Sequence, residues 1–268
     1  MDQKPVEDLL RRLRRAADGE LMARFNRVVA RIKADGSLVT EADLAMQARM
    51  QRELAGIFPA YGFLGEEMDL DQRQAQIDKP GAGLWVLDPL DGTSNFVTGI
   101  PYFAVSLALI VERRVELAMV YDPARQELFH ALAGKGAWLN GKVLGKRAAP
   151  ASLRTAIALV DYKRLPAELA RRLVAAPPYG SQRSFGSVAL DFCWLAAGRG
   201  HVYLHGRHNL WDYAAGLTIL HEAGGHAVTL EGSQQPLLDL RPRSTAAALD
   251  AALFAEWRHW LGIVPRQG

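Results

Sequence analysis

The sequence predicts a mixed α/β (α+β) protein in two layered halves, and three observations carry that expectation. Two helical apolar patterns open the chain, apolar runs broken by short polar turns fill its middle, and strands alternate with helices through the remainder. With 268 residues, 49% of them hydrophobic, each half is long enough to bury a core of its own. The halves read as residues 1–148 and 149–268, joined near the segment GKRAAPASLRT.

The elements follow in order. From Val6 to Lys33 the pattern is helical with an interruption at Gly19, and DGSLVTEAD then turns the chain. Leu44, Met46, Met50, Leu54 and Ile57 recur at roughly helical spacing, so Glu41 to Ile57 reads as a second helix. Gly62 to Gly65 is a short strand ending at Glu66 and Glu67, and residues 68–83, rich in Gln, Asp and Gly, read as a surface loop. Leu84 to Leu87 is a strand, after which Gly92-Thr93 opens a short helix. Tyr102 to Leu144 reads as an antiparallel meander turning near Glu112-Arg113-Arg114, Asp122-Pro123 and Gly134-Lys135-Gly136. Beyond the junction come a strand (Ile157 to Val160), helices (Pro166 to Ala175, Ser187 to Ala197) and a strand (His201 to Leu204). A helix (Asp212 to Ala223), strands (His226 to Leu230, Thr245 to Leu249) and a closing helix (Asp250 to Leu261) complete the chain.

Composition bounds the function classes. No apolar run reaches the ~18 residues a membrane span needs. The opening MDQKPVEDLLRRLRR lacks the apolar stretch of a signal peptide, so a cytoplasmic protein with no membrane partner is expected. Cys193 is the only cysteine, which excludes an intramolecular disulfide; within LDFCWLAAG it reads as core packing. The formal charge is only +3. Arg11, Arg12, Arg14 and Arg15 alternate with Leu9, Leu10 and Leu13 on an amphipathic helix, which reads as a solvated face. A nucleic-acid-binding protein would show a larger basic surplus or interleaved aromatics, so nucleic acid is not the expected partner.

The chemistry concentrates in WVLDPLDGTSNF, Trp85 to Phe96. Two carboxylates about 5 Å apart repel by roughly 3 kcal/mol at an effective dielectric near 20, and at the end of a buried strand Asp88 and Asp91 lose hydration as well. They can share a proton or a divalent cation. A cation needs about six oxygen ligands, and further acids stand at comparable places: Glu66 and Glu67 after a strand, Asp43 after LVTEA, and Asp212 at the start of a helix. Cation binding is the better reading. Pro89 fixes the backbone so that the Leu90 carbonyl can point with the two carboxylates, while Gly92 permits a tight turn. Thr93, Ser94 and Asn95 then start a helix whose free N–H groups suit a phosphate. Metal ligands beside an anion cradle make a phosphoryl-transfer arrangement.

These residues resemble the inositol monophosphatase family of magnesium-dependent, lithium-sensitive phosphatases. The resemblance rests on Gly65-Glu66-Glu67, on Asp88-Pro89-Leu90-Asp91-Gly92-Thr93-Ser94-Asn95-Phe96, and on Trp211-Asp212-Tyr213-Ala214-Ala215-Gly216 followed by Glu222-Ala223-Gly224-Gly225. Leu38 to Asp43 adds a weaker match, and together the motifs cover the chain from about residue 33 to 262. The resemblance implies a layered αβαβα sandwich of the sugar-phosphatase type, a homodimer, and two or possibly three Mg²⁺ ions. It implies Glu66, Asp88 and the Leu90 carbonyl as ligands of one ion and Asp88, Asp91 and Asp212 as ligands of the second. Thr93, paired with Glu66, would orient the attacking water; Asp43 would act from outside the ligand set or on a third ion, and Glu67 would line the site. The amides from Gly92 to Ser94 would hold the phosphate of a small phosphate ester, attacked by water under two-metal assistance.

The substrate is where the chain departs from the family pattern. Arg183-Ser184-Phe185-Gly186-Ser187-Val188-Ala189 keeps a pocket wall, with Gly186, Ser187 and Val188 as candidate substrate contacts. Seven residues before Asp212, where the inositol enzymes carry a glutamate, this chain has His205. A histidine can meet a hydroxyl or, when charged, a second anionic group. Inositol monophosphate, another sugar or polyol phosphate, histidinol phosphate and a 3′-phosphoadenosine nucleotide all remain open. So does a regulatory role in which the basic N-terminal helix binds RNA or a protein and phosphatase activity is secondary. His201 and His208 read as packing or surface residues, Trp211 as core, and Lys33 as a solvated helix end that could also reach the site.

Overall fold

The computed structural model describes residues 3–33, 36–79, 81–145 and 148–264. Its elements run α1 (Gln3–Ala17), β1 (Arg31–Ile32), β2 (Leu38–Val39), α2 (Glu41–Ile57), β3 (Gly62–Gly65), α3 (Leu70–Asp78), β4 (Leu84–Asp91), α4 (Thr93–Thr98) and β5 (Ala104–Val111). They continue with β6 (Arg114–Asp122), β7 (Glu127–Leu132), β8 (Gly136–Leu139), β9 (Lys142–Val143), β10 (Ile157–Asp161), α5 (Ala167–Ala175) and β11 (Ser181–Arg183). The chain closes with α6 (Val188–Ala196), β12 (Val202–His208), α7 (Leu210–Glu222), β13 (His226–Val228), β14 (Arg243–Ala248) and α8 (Ala251–Leu261).

Period-two alternation builds the layers. In β4, Trp85 and Leu87 face α1 and α2, while Leu84 and Val86 face α6 and α7. In β12, Tyr203 turns to the same helix pair, and Val202 and Leu204 turn to α5 and α8. The result is helix pair, sheet, helix pair, sheet, helix pair: the αβαβα sandwich. The first sheet has seven strands in the order β3-β4-β5-β6-β7-β8-β9, antiparallel except where β3 meets β4. The second has five, β11-β10-β12-β14-β13. Helices α6 and α7 serve both sheets, and they cross closely at Gly216, where a Cβ would come within 3.0 Å of the Ala189 carbonyl oxygen. Cys193 is buried in that central layer.

Three expectations need correction. Helix α1 stops at Ala17 and passes into a π-helical turn over Asp18–Met22, and Arg31–Ile32 is a strand paired with Leu38–Val39 rather than the tail of a long helix. The stretch taken as loop after Glu67 contains α3, which buries no residue and is held by a capping box between Asp69 and Gln72. Helix α7 starts two residues before Asp212, at Leu210, with Asn209 and Asp212 forming its capping box.

Candidate active site

The local cause of the site is a bulge. Strand β4 is buried throughout and pairs with β5 in regular register up to Asp88; the register then shifts before Asp91. Pro89 has no N–H for the ladder, so the break falls there. The Asp88 carboxylate accepts the Leu90 N–H at 3.0 Å, which folds the backbone back, and the Leu90 carbonyl accepts the Thr93 hydroxyl at 3.0 Å. Asp91 is held from the other side of the sandwich. Its Oδ2 accepts the Ser187 hydroxyl and the Ala189 N–H, both at 2.6 Å. Gly92, at φ +96°, leaves no space for a side chain: a Cβ would come within 3.0 Å of the Tyr102 carbonyl oxygen and 3.3 Å of that of Gly186.

The four acids expected as ligands share one space. Asp88 is pushed well above its ordinary range by burial first, then by the charges of Glu66, Asp91 and Asp212. Glu66 and Asp212 are raised by burial and by acidic neighbours, with the Lys33 charge pulling Glu66 the other way. Asp212 is fixed by its capping role, its Oδ2 accepting the Asn209 N–H at 2.7 Å. The donor set itself fits magnesium: carboxylate and carbonyl oxygens with no thiolate or free imidazole.

Lys33 and Thr93 stand differently from expectation. The Lys33 ammonium bridges Glu66 at 2.8 Å and Glu67 at 2.6 Å, so it belongs to the site and is no solvated helix end. Thr93 pairs with Asp43 rather than with Glu66: its hydroxyl lies 3.2 Å from Asp43 Oδ1, whose Oδ2 accepts the Thr40 N–H and hydroxyl. The physical reason is position. The capping box at the start of α2 fixes Asp43 beneath Thr93, while Lys33 draws Glu66 toward Glu67. Burial raises Asp43 above its ordinary value against the pull of Thr40.

The proposed substrate wall is partly committed within the protein. Ser187 spends its hydroxyl on Asp91, while Gly186 and half-buried Val188 flank it. Asn95 ties α4 to this wall through the Tyr102 carbonyl at 2.8 Å and the Phe185 carbonyl at 2.7 Å, and Ser94 is exposed. His205 is buried, with Nδ1 accepting the Arg207 N–H and Nε2 3.2 Å from Asp161 Oδ2. Trp211 is buried, with the Arg73 guanidinium 4.7 Å from its ring centre. Sequence reasoning missed Asp161, and it allowed Lys33 to reach the site without naming Glu66 and Glu67 as its partners. Both depend on chain crossings that spacing does not encode.

The raised carboxylates give a pH-dependent expectation. Burial lifts Asp91 from 3.8 to about 6, against the opposing hydrogen bonds of Ser187, Ala189 and Val188. A carboxyl raised in the fold binds its proton more tightly folded than unfolded. For Asp91, rising pH between about pH 4 and 6 therefore costs the metal-free fold stability, and this group's share of the penalty is complete above about pH 6. Because ligation requires ionised carboxylates, the magnesium-induced rise in Tm should be large near pH 7.5 and small near pH 5. Thermal denaturation with Mg²⁺ or EDTA at the two pH values checks this, and equal shifts would contradict it.

Comparison with known proteins agrees with this fold. The model of the inositol monophosphatase family matches residues 2–259. An inositol-1-monophosphatase of Rhizobium meliloti is 34% identical over 220 residues, covering 77% of each chain. A Nus factor SuhB of Xylella fastidiosa is 32% identical over 246 residues, covering 88% of this chain and 86% of the relative. Among solved structures, an IMPase of Thermotoga maritima superposes with a TM-score of 0.81 at 28% identity, covering 97% of this chain and all of the other. Gathered acids at a proline bulge, a sandwich of five layers and a match along nearly the whole sequence lead to one statement: the chain belongs to the inositol monophosphatase family.

Proposed function

We propose that the protein is a Mg²⁺-dependent phosphomonoesterase acting on inositol monophosphate or a related sugar or polyol phosphate. The observation that supports this best is the convergence of Glu66, Asp88, Asp91 and Asp212, each raised by burial, beside the Thr93–Asp43 pair. Glu66, Asp88, Asp91, Asp212 and the Leu90 carbonyl would hold two ions. Bound magnesium supplies Lewis acidity, polarising the attacking water and offsetting charge on the phosphoryl and leaving oxygens.

The protein's own residues do the rest. The Thr93 hydroxyl can take a proton from the attacking water while passing its own to Asp43, whose raised pKa makes it the better acceptor. Backbone N–H groups at Gly92, Thr93 and Ser94, at the start of α4, would orient the phosphoryl oxygens. Asp91, clamped by Ser187 and Ala189, keeps its place as charge develops. Lithium inhibition and a homodimer follow as further expectations for a member of this family. The regulatory reading has less support from the N-terminal helix: Arg11 and Arg12 pair with Asp8, and Arg14 donates to Asn140.

Phosphate release from inositol 1-phosphate, glucose 1-phosphate, histidinol phosphate and 3′-phosphoadenosine 5′-phosphate should be compared by kcat/KM. Release that requires Mg²⁺, stops with EDTA and is fastest on a polyol or sugar ester is the expected result. Absence of Mg²⁺-dependent release from every ester would overturn the reading.

A further inference from the structure

At the C-terminal edge of the second sheet, β10 and β12 run parallel with Asp161 directly beside His205. The two side chains form a pair whose polarity can be worked out. The Arg207 N–H can only donate, so His205 Nδ1 is an acceptor and the ring proton sits on Nε2, where it points to Asp161 Oδ2 at 3.2 Å. Both ring nitrogens are thereby used inside the protein. The ring is further held by stacking on His208, with centroids 4.8 Å apart. His205 is a brace, without a free nitrogen for a ligand.

Asp161 is the opposite case. Its Oδ1 accepts the Lys163 N–H at 2.9 Å and its Oδ2 meets His205, yet about a third of the side chain is exposed. Each oxygen keeps a lone pair. Burial alone would raise its pKa, but the His205 hydrogen bond, the Lys163 N–H and the nearby Arg164 charge bring it below the ordinary value, so the group is an ionised acceptor. The acceptor is also rigid. Gly206 lets the turn after β10 lie directly on β12, since a Cβ there would collide with the Arg164 backbone carbonyl. Strand β12 ends at His208 and α7 starts at Leu210 with Asp212 in its first turn, so this edge of the sheet leads directly to the ligand acids. In open α/β sheets, the crevice at the carboxyl ends of the strands is where ligands bind.

We propose that Asp161, positioned by His205, accepts a hydrogen bond from a hydroxyl of the substrate's alcohol half and so selects polyol phosphates over phosphate esters without hydroxyls. This rests on the phosphomonoesterase reading and names a residue that decides its substrate class. A site built around a fixed acceptor rejects an ester lacking the hydroxyl, because the carboxylate's remaining lone pairs then lose water without gaining a partner.

The test compares kcat/KM for inositol 1-phosphate with that for phenyl phosphate in the full-length protein with Mg²⁺. Asp161→Asn should lower the ratio of the two by roughly 10- to 100-fold, the range expected for a hydrogen bond to a charged group. His205→Ala should lower the same ratio through KM, and His205→Gln, which can still donate to Asp161, should recover part of it. Saturation-transfer NMR from the protein to free inositol should weaken in Asp161→Asn, giving a readout independent of turnover. An unchanged ratio in Asp161→Asn, or an equal loss on both esters, overturns the proposal. If Asp161→Asn does not fold, Asp161→Ser is read by the same ratio. Wild-type protein that hydrolyses phenyl phosphate but shows no preference for the polyol ester sinks this inference alone; protein that hydrolyses neither sinks the phosphatase reading with it.

Discussion

Asp88→Asn is expected to abolish Mg²⁺-dependent phosphatase activity while raising the Tm of the metal-free protein. The two effects have one cause. Asp88 is only 2% exposed, makes no pair with a basic side chain among the described residues, and lies among three other acids. Asn keeps its shape and removes a charge that burial and those neighbours oppose. With ~2–4 °C gained per kcal/mol in a chain of this size, relief of even part of the repulsion should raise Tm by a few degrees. Loss of an indirect partner of a metal ligand costs roughly 10- to 100-fold, so loss of a direct ligand should cost on the order of a thousandfold or more. Steady-state assays and thermal melts on one preparation check both halves. A variant that keeps near-full rate, or melts far below wild type, would remove Asp88 from the metal site.

Thr93→Ala and Asp43→Asn should each lower kcat by roughly 100-fold or more, within the range for general acid–base groups. The double variant should be little worse than the poorer single. The reason is the 3.2 Å contact between Thr93 Oγ1 and Asp43 Oδ1: a proton route broken at one link gains nothing from being broken again. Fully additive losses would mean that the two side chains act separately. Asp43 also caps α2, so melts must accompany the assays.

Much of this was legible before the structure because it is local. The close turn follows from Gly92 and the fixed backbone from Pro89, although the strand runs on through the resulting bulge to Asp91 instead of ending at Leu87. The alternation that sorts Trp85 and Leu87 from Leu84 and Val86 was not legible, because all four are apolar and only the layers on either side tell the faces apart. Helix α3 escaped because nothing in it is buried, so it carries no apolar period and stands on its caps. Strand β1 escaped because it is two exposed residues whose only reason to be extended is β2. The partners of Thr93 and Lys33 escaped for a different reason: contacts between residues 33 to 50 positions apart depend on how layers stack. His205 is the most instructive case. Sequence counting placed it where the inositol enzymes carry a glutamate, and the structure shows it bound to a carboxylate on the next strand.

Gly216 carries a consequence for the spacing of the acids. The clamp on Asp91 comes from the first residues at α6, and Asp212 sits in the first turn of α7. How far apart these two helix beginnings lie is governed by how near the helix bodies can approach, and that approach is permitted by one missing methyl group. A side chain there would act as a wedge, prying two acids apart from a distance and spoiling the chemistry without touching a single group that performs it.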